Sequence, residues 1–341
     1  MQKISHVCAI AFLICSPRIV AVAADTLTWP ETLPKYDHIV IVVEENKDFE
    51  EVFGGKFNAP YLKQLATKSA SIGHMFGEEH PSQGNYYWLF SGSNQNVGFS
   101  DQVPRVAITA SSLGEQLIKN GYSFKGYAED LPSPDPTIDF VPPDCNGGPS
   151  CVYGRKHVPW ISFANVPTSS NLRFKDNFPT DPNYYTKLPT VAFVIPNLNN
   201  DMHNGGAAES IPAGDRWLKE NLDGYYQWAR NNNSLLIVTF DENDDKDQYH
   251  GPTDPAAVIP NPTDSHYQHQ HDLQNRIVTI FAGAHIKHGA YSEGKGITHV
   301  NILRTIEAMY GLPKSGAQQP NAVRAGISDD TLVTDVFEPV R

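Results

Sequence analysis

Four stretches of the chain carry short, continuous runs of apolar and β-branched residues: His38–Val43, Thr190–Ile195, Leu235–Phe240 and Arg276–Ala282. They lack the strict alternation of a half-exposed strand, and so predict central strands of a sheet covered on both faces. Between and after them lie helical patterns. One spans Pro60–Ala70 and opens on a proline; another runs from Ser111 to Asn120 and stops at Gly121. A third covers Asp215–Arg230, and the last, Val300–Tyr310, is closed by Gly311 and Pro313. Strands alternating with helices predict a doubly wound α/β/α sandwich. Two stretches read as loop insertions: Pro132–Gly148, rich in Pro, Asp and Gly, and the polar Asp244–Asp272.

In such a fold ligands sit at the carboxyl ends of the strands. Glu44-Glu45-Asn46 follow the first strand, Asn197 to His203 the second, and Asp241-Glu242-Asn243 the third. All three clusters are acidic, amide or imidazole. Glu45, Asn46, Asp241 and Glu242 form an all-oxygen set of the kind preferred by hard divalent cations, Mg²⁺, Ca²⁺ or Mn²⁺ before zinc. The alternative for any one of them is a strand-end cap or a surface charge; two strand ends with matched chemistry favour the metal. His266, His269 and His271 in the second loop offer a further His-x-His pair, but no carboxylate-bearing strand end frames it, and a solvated loop is the expectation there.

The compartment is written in the first 24 residues. A charged Lys3, the apolar run Val7 to Cys15 and the small residues Ala21-Val22-Ala23-Ala24 match a cleaved leader. The run is too short to span a bilayer, which takes about 20 residues. The expectation is an exported protein, periplasmic or secreted, with no stable membrane anchor and with residues 25–341 forming one catalytic domain. Cys8 and Cys15 would leave with the leader; Cys145 and Cys151 bracket a short loop and predict a local disulfide, a metal pair being the alternative. The 40% hydrophobic content supports a sizeable core, and the net charge of −12 with no basic stripe argues against a nucleic-acid partner.

Several hydrolase classes lack their signatures. No Gly-x-Ser-x-Gly elbow occurs, which counts against a serine esterase. No His-Glu-x-x-His occurs, which counts against a zincin protease. The segment His80-Pro81-Ser82-Gln83-Gly84-Asn85-Tyr86 places a serine where a helix can open, with its amides toward an anion. Spacing alone does not distinguish Ser82 from a structural turn serine.

Taken together, the motifs resemble a known family. Glu45-Asn46 after a strand, His80-Pro81-Ser82-x-x-Asn85-Tyr86, Pro196-Asn197-x-x-x-Asp201-x-His203 and Val238-Thr239-Phe240-Asp241-Glu242 follow in order. Thr298-His299-x-x-x-Leu303-Arg304-Thr305-Ile306-Glu307 then leads to Tyr310-Gly311-Leu312-Pro313. From Lys35 to Pro313 the chain resembles the phosphoesterase family of acid phosphatases and bacterial phospholipases C, alkaline-phosphatase-like in fold. Gly126-Tyr127-x-Glu129-Asp130 and Arg155-Lys156-His157-x-Pro159 resemble the acid phosphatase branch. The departures are Gly84, where a proline is common, and the long 244–272 insertion.

With the family's chemistry laid on these residues, the resemblance implies a metal-dependent phosphomonoesterase acting on small phosphorylated substrates. Ser82 is the expected nucleophile, giving a phosphoserine intermediate. One divalent ion is held by Glu45, Asn46, Asp241 and Glu242. Lys156, His157 and His203 bind phosphoryl oxygens or protonate the leaving group, Asn85 donates to phosphoryl oxygen, and Asp201 orients His203 or a water behind it. His299 faces the site or caps its helix. A phospholipase C or other phosphodiesterase using the same site is the alternative, and a non-catalytic phosphate-binding protein the second. Arg304 and Glu307, three apart on one helix, read as an exposed or interface ion pair. Trp88, Trp217 and Trp228 read as packing aromatics.

Overall fold

The apolar runs that begin at His38 and near Leu235 lie side by side in the computed structural model, which describes residues 33–97, 100–133, 138–244, 275–291, 296–324 and 326–338. The strands, in chain order, are β1 (His38–Glu44), β2 (Ala70–Phe76), β3 (Phe124–Ala128), β4 (Phe140–Val141), β5 (Tyr153–Gly154), β6 (Asn171–Arg173), β7 (Val191–Ile195), β8 (Ser234–Phe240), β9 (Arg276–Gly283), β10 (Gly289–Tyr291) and β11 (Ile297–Thr298). The helices are α1 (Phe49–Phe53), α2 (Pro60–Lys68), α3 (Gln83–Ser91), α4 (Leu113–Lys119), α5 (Phe174–Asn177), α6 (Ala207–Ala229), α7 (His299–Tyr310) and α8 (Pro320–Arg324).

Nine strands form one sheet in the order β10-β2-β9-β8-β1-β7-β3-β6, with β11 also on β2. β1 pairs in parallel with β7 and with β8, while β9 runs antiparallel to both β8 and β2. The centre is dry: every residue of β7 and β8 is buried, as are all of β1 but His38. This is the physical reason these strands read as unbroken apolar runs. Helices cover both faces, so the expected sandwich of a mostly parallel sheet between helices is the observed one.

The helix expected over Asp215–Arg230 starts eight residues earlier, at Ala207, because Pro212 lies inside α6 and reads in sequence as a break. The long helix carries Trp217 and Trp228 onto the core, Trp217 donating from Nε1 to Glu129. α7 stops where expected, with Gly311 in the left-handed region at φ 64°. The α7 ion pair is a correction. Arg304 and Glu307 are wholly buried rather than exposed. Arg304 donates to Glu307 Oε2 at 2.7 Å and to Asp329 Oδ1 at 2.9 Å, and Ser315 N donates to Glu307 Oε1 at 2.7 Å. The segment after α7 folds back over the helix face and closes the pair off from water.

Cys145 and Cys151 form a disulfide, with Cα atoms 5.3 Å apart. The leader residues 1–24 and the histidines at 266, 269 and 271 lie outside the described residues. Among the described residues no helix is long and apolar enough to cross a membrane.

Candidate active site

The β1–β8 register sets Glu44 opposite Phe240, so the next residue on each strand, Glu45 and Asp241, emerges at the same corner. The backbone ties the corner together: Asp241 N donates to Glu44 O at 3.0 Å, and Asn46 N to Asp241 Oδ1 at 3.0 Å. Glu45 N donates to Asp201 O at 2.6 Å, which joins the loop after β7 to the same place. Three separate stretches thus converge where the fold rule expects a ligand.

Ser82 caps the start of α3, and its Oγ lies 3.0 Å from both Glu45 Oε2 and Glu242 Oε1. One hydroxyl hydrogen serves one acceptor at a time, so two carboxylates compete for a single proton. His80 Nδ1 lies 2.7 Å from Glu242 Oε2. Asn85 donates to Glu242 Oε2 at 3.4 Å and to Glu79 O at 2.6 Å, while its Oδ1 accepts from the amides of Glu78 and Glu79. Asn85 therefore pins the turn before Ser82 as well as touching the carboxylate beneath it.

Glu45 has imidazoles on its other side. His157 Nε2 lies 2.9 Å from Oε1 and His203 Nδ1 2.9 Å from Oε2, while the Tyr86 hydroxyl donates to Oε1 at 2.8 Å. The Tyr86 ring stacks on His157 at a centroid distance of 4.9 Å. Asp201 serves both histidines: Oδ1 accepts from His203 N at 2.8 Å, and Oδ2 lies 3.5 Å from His157 Nδ1.

The electrostatics follow from crowding charge in a dry corner. Burial acts to raise the Glu45 pKa, but His157 and His203 outweigh it and hold the carboxylate well below its usual range. Burial acts to lower the His157 pKa, and Glu45 and Asp201 prevail, raising it to about 9. Asp241 has no such cationic partner: burial first, then Glu45 and Glu242, push its pKa well above the usual range.

That imbalance fits a cation. Asp241 Oδ2 is buried with no hydrogen-bond donor among the described residues, beside two more buried carboxylates. The donor set is hard oxygen, with the imidazoles of His157 and His203 grouped on Glu45. The Asn46 side-chain oxygen accepts from Lys47 Nζ at 3.2 Å.

The remaining expected residues are placed differently. Lys156 follows β5 next to His157, but its Nζ pairs with Asp101 Oδ2 at 2.6 Å. Burial acts to lower its pKa; Glu45, Asp101 and Glu242 together raise it. His299 sits at the first position of α7 and its Nε2 donates to Phe240 O at 2.8 Å, beneath the β8 end. Burial lowers its pKa to about 4, so the ring is neutral. Asp101 was missed by sequence reasoning, and His80 and Tyr86 were read only as parts of a motif. The paired aromatic and histidine flanking Ser82 were the available signal for the last two.

The architecture is that of the alkaline phosphatase superfamily. A superfamily member from Vibrio parahaemolyticus superposes with a TM-score of 0.55 over 88% of this chain and 71% of its own, at 11% identity. The phosphoesterase family model matches residues 55–313, and the chain belongs to that family, hydrolases of phosphoric esters. A Mycobacterium tuberculosis protein named phosphatidylinositol-3-phosphatase is 41% identical over 83% of this chain and 80% of its own length. A phosphate-repressible acid phosphatase of Penicillium chrysogenum is 26% identical over 82% of this chain, which spans 60% of that longer protein.

Proposed function

We propose that this enzyme is a metal-dependent phosphomonoesterase working through a phosphoserine on Ser82. The observation that carries the reading is the position of Ser82 Oγ, 3.0 Å from both Glu45 and Glu242 at the cationic-ligand corner. A serine hydroxyl is a weak nucleophile at its ordinary pKa and needs a base or a metal. A divalent ion held by Glu45, Asn46, Asp241 and Glu242 supplies charge neutralisation and a lowered hydroxyl pKa.

The chain's own groups do the rest. The Ser82 proton passes to Glu242 as Oγ attacks phosphorus and the ester P–O bond breaks. His203, with a 19% exposed side chain against 1% for His157, is the imidazole that can reach a leaving oxygen and return a proton to it. His157, buried between Glu45 and Asp201, keeps its charge and holds Glu45 in place. Water then attacks the phosphoserine, releasing phosphate and restoring the hydroxyl. The fungal relatives named acid phosphatase support a weakly acidic working range.

The acid phosphatase relatives support small phosphomonoesters as substrates, and the Mycobacterium relative adds phosphatidylinositol 3-phosphate to those worth testing. The disulfide and the leader pattern support export. The deciding assay compares p-nitrophenyl phosphate with bis-p-nitrophenyl phosphate from pH 4 to 9, with and without chelator. Faster, chelator-sensitive monoester turnover is expected, and Ser82→Ala should lower kcat by at least about 1,000-fold. Diester-only turnover would make it a phosphodiesterase, and near-normal turnover by Ser82→Ala would remove Ser82 as nucleophile.

A further inference from the structure

Lys156, expected to bind phosphoryl oxygens, does not stand free. Its Nζ meets Asp101 Oδ2 at 2.6 Å, and Asp101 Oδ1 accepts at 3.2 Å from Gln83 N, the amide that follows the Ser82 nucleophile. Both are anion donors: an ammonium, and a first-turn amide of a nine-residue helix. A carboxylate of this chain therefore bridges a lysine ammonium and the amide that follows the nucleophile.

The bridge is built rather than incidental. The Gln83 side chain is fully buried and donates from Nε2 to Ser100 O at 3.0 Å and to Gln102 O at 2.9 Å, the carbonyls on either side of Asp101. Three hydrogen bonds from one residue thus clamp the 100–102 segment to the start of α3. The Lys156 side chain is only 9% exposed, so its pairing is weakly screened, while Asp101 at 33% keeps one side toward solvent. Among the described residues the Asp101 carboxylate is held by Lys156 Nζ and Gln83 N.

We propose that Asp101 is the counter-anion of the phosphate pocket, a positioning residue that holds Lys156 beside Ser82 and competes with phosphate for it. The inference rests on the phosphomonoesterase reading. A phosphate dianion approaching Ser82 gains the Lys156 charge only in part, because a fixed carboxylate already shares it. The consequence is looser retention of the product, inorganic phosphate, without loss of the ammonium's placement.

The test uses the full metal-loaded protein, with inorganic phosphate titrated calorimetrically and p-nitrophenyl phosphate as substrate. Asp101→Asn keeps the shape and removes the charge. It should tighten phosphate binding about 10-fold and lower KM in parallel, since removing a like charge several ångströms from the anion favours binding. Asp101→Glu should return both constants toward the wild-type values, and Lys156→Gln should weaken phosphate binding. A merely structural role for Asp101 predicts weaker binding on its removal, so the sign separates the two. Unchanged or weaker phosphate binding by a folded Asp101→Asn would overturn the inference while leaving the phosphatase reading intact. Wild-type protein that neither binds phosphate nor hydrolyses the monoester would overturn both.

Discussion

Met202 packs into the notch that Gly214 leaves on α6: a Cβ at Gly214 would lie 2.5 Å from Met202 Cγ and 2.9 Å from Asn200 O. Met202 is fully buried and holds a left-handed backbone at φ 76°, which costs a non-glycine residue about 1 kcal/mol or more. It lies between Asp201 and His203, whose side chains point into the active corner together. Burial of the thioether side chain against the helix offsets the backbone cost and fixes the turn that aims them. Gly214→Ala should therefore displace the 200–203 turn. The expected result is a loss of about 1–3 kcal/mol in stability from overpacking, with kcat falling more than KM changes. Urea melts and monoester kinetics on the same preparation check this. A variant with normal kcat would show that the turn tolerates the shift.

Metal removal gives a prediction that does not depend on turnover. Glu45, Asp241 and Glu242 crowd one buried corner, and Asp241 Oδ2 lacks a donor there. A divalent cation binding only the folded chain should raise the melting temperature of chelated protein in proportion to RT ln(1 + [L]/Kd), about 2.7 kcal/mol at a hundred times Kd. Asp241→Asn removes one of the repelling charges. It should raise the stability of the metal-free protein and abolish most of the metal-induced rise. Calorimetric melts with Mg²⁺, Ca²⁺, Mn²⁺ and Zn²⁺ added in turn would also rank the ions.

The strands that carry the site were readable because they are buried on both faces, which forces an apolar run. β2 (Ala-Ser-Ile-Gly-His-Met-Phe) and β3 (Phe-Lys-Gly-Tyr-Ala) were not, since Gly, His and Lys interrupt the run in each. The carboxylates were legible for a related reason: they stand one residue beyond strands whose ends are easy to find. Asp101 was invisible because it is a lone acidic residue in a polar stretch, and its meaning comes from Lys156, 55 residues away. Arg304 and Glu307 misled because spacing on one helix says nothing about what covers it. The cover comes from Ser315 and Asp329, contributed by the chain after the helix.

The pH dependence of stability should carry the mark of Glu78. Burial is the main cause that raises its pKa, to about 8, and its Oε1 accepts from Val300 N at 3.2 Å. The folded state keeps the proton up to that pH, while the unfolded chain releases it near the ordinary glutamate value of about 4.3. More protons bound when folded means that stability is greatest below the unfolded value and is lost as pH rises toward 8. This group therefore favours the acidic side, where the phosphatase reading places the activity. Glu78→Gln copies the protonated carboxyl and keeps the acceptor. It should leave stability at pH 5 nearly unchanged and raise it at pH 8, flattening the profile; urea midpoints at intervals between those values test it. A variant that tracks the wild-type slope would assign the pH dependence to other groups.

The space beside Gly84 is already occupied in the structure. A Cβ there would lie 1.8 Å from Glu79 Oε1. The Glu79 carboxylate accepts from Trp88 Nε1 at 2.9 Å and from Asn94 at 3.0 and 3.1 Å, which ties the segment before α3 to the second half of the helix and to the loop that follows it. Gly84→Ala must push Glu79 off these donors, leaving the indole N–H of Trp88 buried without its partner, at a cost of about 1–3 kcal/mol. Because Glu79 O also accepts from Asn85, which touches Glu242, the disturbance should reach the nucleophile and lower kcat. The double variant Glu79→Ala/Gly84→Ala removes the clash. It should recover part of the stability lost by Gly84→Ala alone, a non-additivity that a double-mutant cycle measures directly. Strict additivity of the two losses would mean that Gly84 is needed for something other than room for Glu79.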